Sequence, residues 1–136
     1  MKIFICCSKY IYPKVSPIKN ELESRGHIIT LPNSYENPMK EEEVKLLEPE
    51  NHSKWKGEML KLQIKKIENN DAILVLNMEK NGSKNYIGGA TFLEIFKAWE
   101  LGKKIYLWNP LPDTNLRDEL NAFNPIIVHG DLSLIK

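Results

Sequence analysis

The chain has 136 residues, 42% of them hydrophobic and 27% charged, enough for one domain with a real core and too apolar for a disordered segment. Nineteen Lys and Arg stand against eighteen Asp and Glu, a net charge of +1, which removes the electrostatic case for nucleic acid, a membrane surface or a strongly acidic partner. No apolar stretch approaches the roughly 20 residues that cross a bilayer. In chain order, KIFICC (2–7) is a continuous apolar run of the kind buried parallel strands show, and it reads as a first strand and not a leader peptide. VSPIKNELESRG (15–26) spaces Val15, Ile18 and Leu22 on one helix face and stops at Gly26. HIITL (27–31) is a strand pattern that ends at Pro32. The polar, proline-bearing segment 32–51 is too long for an ordinary loop and predicts a surface excursion or lid with a short helix. A helix follows over 52–70, with Trp55, Met59, Leu62 and Ile67 near helical spacing. DAILVLN (71–77) is the clearest buried strand. After a loop (78–89), ATFLEIFKAWELG (90–102) predicts a helix closed by Gly102, and KKIYLWN (103–109) another strand. Residues 111–124 suggest a turn and a helix, with Asp113 or Thr114 as cap, and PIIVHG (125–130) the last strand.

This alternation implies a parallel sheet with helices on both faces. We expect a single domain over 1–136 with a flavodoxin-like, doubly wound, five-stranded parallel sheet. Ligands in such folds sit beyond the carboxyl ends of the strands, at the topological switch point. Cys7-Ser8, Asn77-Met78 and Asn109-Pro110 emerge at that edge. The only cysteines, Cys6 and Cys7, are neighbours in a strand and point to opposite faces, so they are poorly placed to pair. With no disulfide framework and no CxxC pattern, a reducing cytoplasm is the expected setting. His27, His52 and His129 are scattered without ligand spacing, which argues against a metal site.

The segment NYIGGATFLE (85–94) concentrates the chemistry. Gly88 and Gly89 precede a helix start, where bare amides bind an anion or a sugar hydroxyl; an ordinary flexible turn would carry the same pair. Glu94 stands in the second turn, beside Phe92, Ile95, Phe96 and Trp99, which compete for the buried side. A carboxylate there serves as nucleophile or as acceptor for ligand hydroxyls, unless it is only a solvated residue favoured by the positive helix end. Cys7 and Ser8 close the first strand at the ligand edge. The run KEEEVKLLEPE reads as a solvated face, and Trp55, Trp99 and Trp108 as core or interface residues.

The combination of FICCS, IKKIENNDAILVLN and NYIGGATFLEIFKAWELGKKIYLWNP resembles the nucleoside 2-deoxyribosyltransferase superfamily, which includes the 2'-deoxynucleoside 5'-monophosphate N-glycosidases. The likeness runs from Lys2 to about Leu132 and is weakest across 32–51. It implies an enzyme, a hydrolase or transferase, that cleaves the base–sugar bond of a small nucleoside or nucleotide, with Glu94 as catalytic nucleophile and no cofactor. It further implies that Gly88 and Gly89 line the sugar or phosphate pocket and that Ser8 lies in a ligand-contacting loop; Cys7 and Asn77 are expected to border the site from their place at the ligand edge of the sheet. Asn115 aligns with a residue that reaches into a neighbouring subunit's pocket, which implies a homodimer or larger assembly. Two aspartates of the family are missing, for Gln63 and Gly88 stand in their places. That departure leaves a second expectation open, a nucleotide-binding or sensing module of the same fold without turnover. A PGGxGTxxE motif, as in the lysine-decarboxylase-like phosphoribohydrolases, is matched less well by IGGATFLE.

Overall fold

The computed structural model describes every residue from Met1 to Lys136. Five strands, β1 (Lys2–Cys6), β2 (Ile28–Thr30), β3 (Ala72–Val75), β4 (Lys104–Leu107) and β5 (Ile126–Ile127), form one sheet in the order β2-β1-β3-β4-β5. All pairings are parallel, with Ile3 beside Ala72, Ala72 beside Lys104 and Tyr106 beside Ile126. The order reverses between β1 and β3, so the crevice beyond their carboxyl ends is the switch point. The flavodoxin-like α/β fold read from the alternation of runs is the fold observed.

Alternate residues of each strand enter opposite cores, as extended backbone requires. Ile3, Ile5, Leu74 and Tyr106 pack with Val15, Ile18 and Leu22 of α1 (Val15–Ser24) on one face. Phe4, Cys6, Ile73, Val75, Ile105 and Leu107 pack on the other face. There they meet Ile67 of α3 (His52–Glu68), Ile95 and Ala98 of α4 (Gly89–Glu100) and Leu120 of α5 (Arg117–Ala122). Every residue of β3 is fully buried. At about 25 cal/mol per Å² of apolar surface, a side chain such as Ile73 stabilises the fold by roughly 1.5–3 kcal/mol. α1 ends as its sequence indicates: Gly26 has a φ of 91°, and His27 N–H donates to the Leu22 carbonyl at 3.1 Å.

The structure trims and extends the sequence reading in places. β5 is only two residues long, because only Ile126 and Ile127 ladder onto β4. α5 spans six residues of the 111–124 stretch; the Thr114 hydroxyl accepts from Leu116 N–H just before it. Lys9–Lys14, unassigned from sequence, form a 3-10 helix whose start is capped by the Ser8 hydroxyl. The 32–51 excursion holds α2 (Lys40–Leu47) and a short 3-10 turn, Pro49–Asn51.

The buried stripe of α4 is Thr91, Glu94, Ile95 and Ala98. Phe96 and Trp99, expected to compete for that side, are 40% and 50% exposed and pack instead at a tilt against Phe123, at 6.3 and 5.5 Å between ring centroids. Small Thr91 and Ala98 fit against the sheet and α3, where large rings would hold the helix away. Glu94 therefore lies on the buried side itself.

Candidate functional site

The carboxyl end of β1, residues 32–34 after β2, the loop between β3 and α4, the first turn of α4, the outer half of α3 and α2 surround a cavity of about 380 Å³, within the size range of small-molecule sites. Glu94 lines it and is only 7% exposed. Cys7 and Ser8 reach it from the end of β1, and Gly88 and Gly89 from the loop before α4. Five of the seven residues singled out in the sequence thus meet at one cavity.

The other two do not line it. Asn77 is completely buried just after β3 and clasps the end of β4. Its Nδ2 donates to the carbonyls of Asn109 and Pro110 at 2.9 and 3.0 Å, and its Oδ1 accepts from Asn109 N–H at 2.8 Å. Asn109 Nδ2 completes the clasp by donating to the Asn77 carbonyl. This side chain ties two strand ends together. Asn115 is exposed on the loop before α5, outside the cavity of its own chain.

The two glycines differ in what they permit. A Cβ on Gly88 would meet Tyr86 Oη at 3.0 Å and Cε1 at 3.3 Å, so any side chain here would have to push that ring back by a few tenths of an ångström. A Cβ on Gly89 would meet nothing within 4 Å. Gly88 precedes α4 and accepts from Phe92 N–H at 2.8 Å. The N–H groups of Gly89, Ala90 and Thr91 then form the first turn, which helix geometry leaves without carbonyl partners. All three residues line the cavity.

Several lining residues, Met59, Tyr12 and Asn33 among them, were not site candidates from sequence, and Gln63 was noted there only as standing where the resemblance expects an aspartate. Trp55, Met59 and Gln63 share the stripe of α3 that continues inward to Ile67; its outer half faces the cavity and its inner end the core. Gln63 is buried, and its Nε2 donates to the Ala90 carbonyl at 3.2 Å, joining α3 to the first turn of α4. A polar residue at i+4 from Met59 and i−4 from Ile67, breaking an apolar stripe, is the signal that marks it. Tyr12 donates through its hydroxyl to the Asn33 carbonyl at 2.6 Å, and both residues are lining. Glu41 and Glu42, read as part of a solvated face, turn inward instead. They do so because α2 offers cations on neighbouring segments something to pair with: Glu42 pairs with Lys9, and Glu41 with His52 at 2.9 Å and Lys56 at 3.4 Å.

Electrostatics follow from this arrangement. Burial pushes the Glu94 carboxyl from its usual 4.5 up to about 8, against the opposing pull of the Cys6 thiol, Lys66 and Lys56. Glu94 therefore holds its proton at neutral pH in most molecules. Burial, reinforced by the charge of Glu94, pushes the Cys7 thiol to about 12, and Cys6 and Tyr12 also move upward. None of these is an activated thiolate. Burial draws Lys66 down, although Glu94 and Cys6 oppose it. Burial would raise Glu41, yet the hydrogen bond from His52 and the charge of Lys56 outweigh it and hold the carboxyl below its usual value.

Two lining cations, Lys45 and Lys80, have no carboxylate within ion-pair range. Lys80 Nζ stands 4.6 Å from the ring centroids of both Tyr10 and Tyr86. No group of three or more His, Cys, Asp or Glu side chains is arranged to hold a metal ion, and no helix is long and apolar enough to cross a membrane. The cavity offers one buried carboxyl, a helix start, unpaired ammonium groups and aromatic rings at its walls. Neither a protein-family model, nor a curated protein, nor a solved structure matches this chain.

Proposed function

We propose that the chain is a nucleoside or nucleotide N-glycosidase or deoxyribosyltransferase-like enzyme, with Glu94 as the nucleophile. The observation that carries this reading is the buried Glu94 carboxyl, 7% exposed, in a polar cavity at the switch point of the sheet. The resemblance of residues 85–110 to the nucleoside 2-deoxyribosyltransferase superfamily supports it.

In this chemistry the base–sugar bond breaks and the base departs with the bonding pair. The anomeric carbon becomes cationic, and Glu94 in its ionised form, the minority at neutral pH, bonds to it as an ester. Water opens the ester in hydrolysis, whereas a second base opens it in transfer. A buried carboxylate suits the step because burial leaves it poorly solvated. It gains most when positive charge develops beside it, so its stabilisation grows toward the transition state. The amides of Gly89 to Thr91 and the ammonium of Lys80 are placed for sugar or phosphate oxygens. Tyr10, Tyr86 and Trp55 supply faces for a base. Asn115, exposed before α5, is available to a second copy in a homo-oligomer. Free Cys6 and Cys7 fit a cytoplasmic setting.

Gln63 favours a second reading, a nucleotide-binding or sensing module of the same fold. An amide occupies the place where the family carries an aspartate, and it cannot exchange a proton with a substrate.

Chromatographic product analysis tests both. The chain and its Glu94→Ala variant are incubated with ribo- and deoxynucleosides and their 5'-monophosphates, with and without a free acceptor base. Free base from the parent chain alone supports hydrolysis at Glu94, and a new nucleoside seen only with acceptor supports transfer. Absence of product from every substrate, with one of them bound, overturns the enzymatic reading in favour of the binding module.

A further inference from the structure

The geometry points to α2 as a strap over the Glu94 cavity, held shut by the Lys9–Glu42 ion pair and released when that pair parts. This goes beyond the reaction proposed above and does not rest on it.

α2 has little apolar anchoring. Val44 is its only buried side chain, while Leu46 and Leu47 are 80% and 68% exposed. Its main packing is on the Pro49–Asn51 turn and on α3, with no substantial contact to the sheet. One such side chain contributes roughly 1.5–3 kcal/mol, too little to hold eight residues of backbone in place alone.

What ties α2 down is charge. Glu41 reaches back to His52 and Lys56 on the helix α2 already touches, so that pair accompanies α2 on its hinge side. Glu42 reaches elsewhere, to Lys9 in the 3-10 helix that follows β1. Both members of this second pair line the cavity, and they join walls supplied by separate parts of the chain. Their side chains are 19% and 37% exposed, so the pair is shielded from water more than a surface bridge yet is not locked in the core.

The latch is also incompletely satisfied. Glu42 Oε2 is buried with no hydrogen-bond partner, as is Asn33 Oδ1 on the same cavity wall. A buried, unpaired carboxylate oxygen penalises the closed form. Attraction to Lys9 and this penalty oppose one another, which leaves α2 balanced between closed and open. Closed, it shelters Glu94 from bulk water; open, it admits a ligand. An anionic ligand group competes with Glu42 for Lys9, so binding itself biases the strap.

Hydrogen-exchange mass spectrometry on the full chain, with no ligand added, tests this. The samples are the parent, Glu42→Gln, Lys9→Gln and the double variant. The expected result is exchange of the 40–47 amides faster by roughly threefold to fivefold in each single variant. The double variant adds nothing beyond the larger single effect, and the amides of β3 keep the parent rate. Unchanged α2 exchange in both single variants overturns the strap, as do additive effects in the double. Parallel acceleration of β3 overturns it too, since the pair would then stabilise the whole fold. α2 amides unprotected in the parent overturn it as well. No turnover is measured, so failure of the glycosidase reading leaves this result standing.

Discussion

Glu94→Gln is expected to make the protein more stable relative to the parent as pH rises, and the effect is large enough to measure. The parent carboxyl titrates near 4.5 when exposed and at about 8 when folded. The folded chain therefore binds this proton more tightly than the unfolded chain. The sign follows: stability from the protonated carboxyl is complete below about 4.5 and is lost as pH climbs through about 8. Each pKa unit is worth about 1.4 kcal/mol. Between pH 5 and pH 7 the parent loses roughly 2–3 kcal/mol from this group alone, and by pH 8.5 about 4 kcal/mol. Glutamine keeps the shape and has no proton to lose, so this slope vanishes in the variant. Urea denaturation of both proteins at pH 5, 7 and 8.5 yields the difference in unfolding free energy, and other titrating groups cancel in that difference. A gap between variant and parent that stays constant across the three pH values would refute the buried-carboxyl account.

The same titration governs turnover. If Glu94 attacks as a carboxylate, the rate of base release climbs about tenfold per pH unit from pH 6 toward a plateau above about 8; a flat profile over that range contradicts it. Gly88→Ala and Gly89→Ala are expected to diverge in thermal denaturation. The first loses on the order of 1 kcal/mol because Tyr86 Oη stands 3.0 Å from the new carbon. The second is neutral or gains a few tenths, since Gly89 has open space and a helical backbone; equal losses would show that Tyr86 is not the constraint. Asn77→Ala strands two carbonyls and an amide at the ends of β3 and β4, and is expected to lower unfolding free energy by roughly 2–4 kcal/mol. A loss below about 0.5 kcal/mol in urea titration would rule out the clasp.

What the chain's linear pattern determined is the scaffold. β1 and β3 are readable because a strand covered on both faces has no polar side, so KIFICC and DAILVLN appear as unbroken apolar runs. The stop of α1 is readable because Gly26 adopts a backbone conformation other residues avoid. The switch-point crevice follows from strand order, and it brought Cys7, Ser8, Gly88, Gly89 and Glu94 to one place.

Tertiary packing decided the rest, because each remaining question depends on what a face meets across the chain. Helical spacing places Glu94 near Ile95 and Phe96, but only the approach of α4 to the sheet selects Thr91, Glu94 and Ala98 for burial and leaves Trp99 outside. Asn77 carries the signature of a strand-end ligand residue, yet its amide is consumed by Asn109 and Pro110, distant in sequence. Glu41 and Glu42 sit in a run that any local measure assigns to solvent. They turn inward because Lys9, His52 and Lys56 stand where the fold of 32–51 brings them. Periodicity reports which residues share a face; the partner of that face is a property of the folded chain, and here the partners turn a carboxylate in a helix into the floor of a cavity.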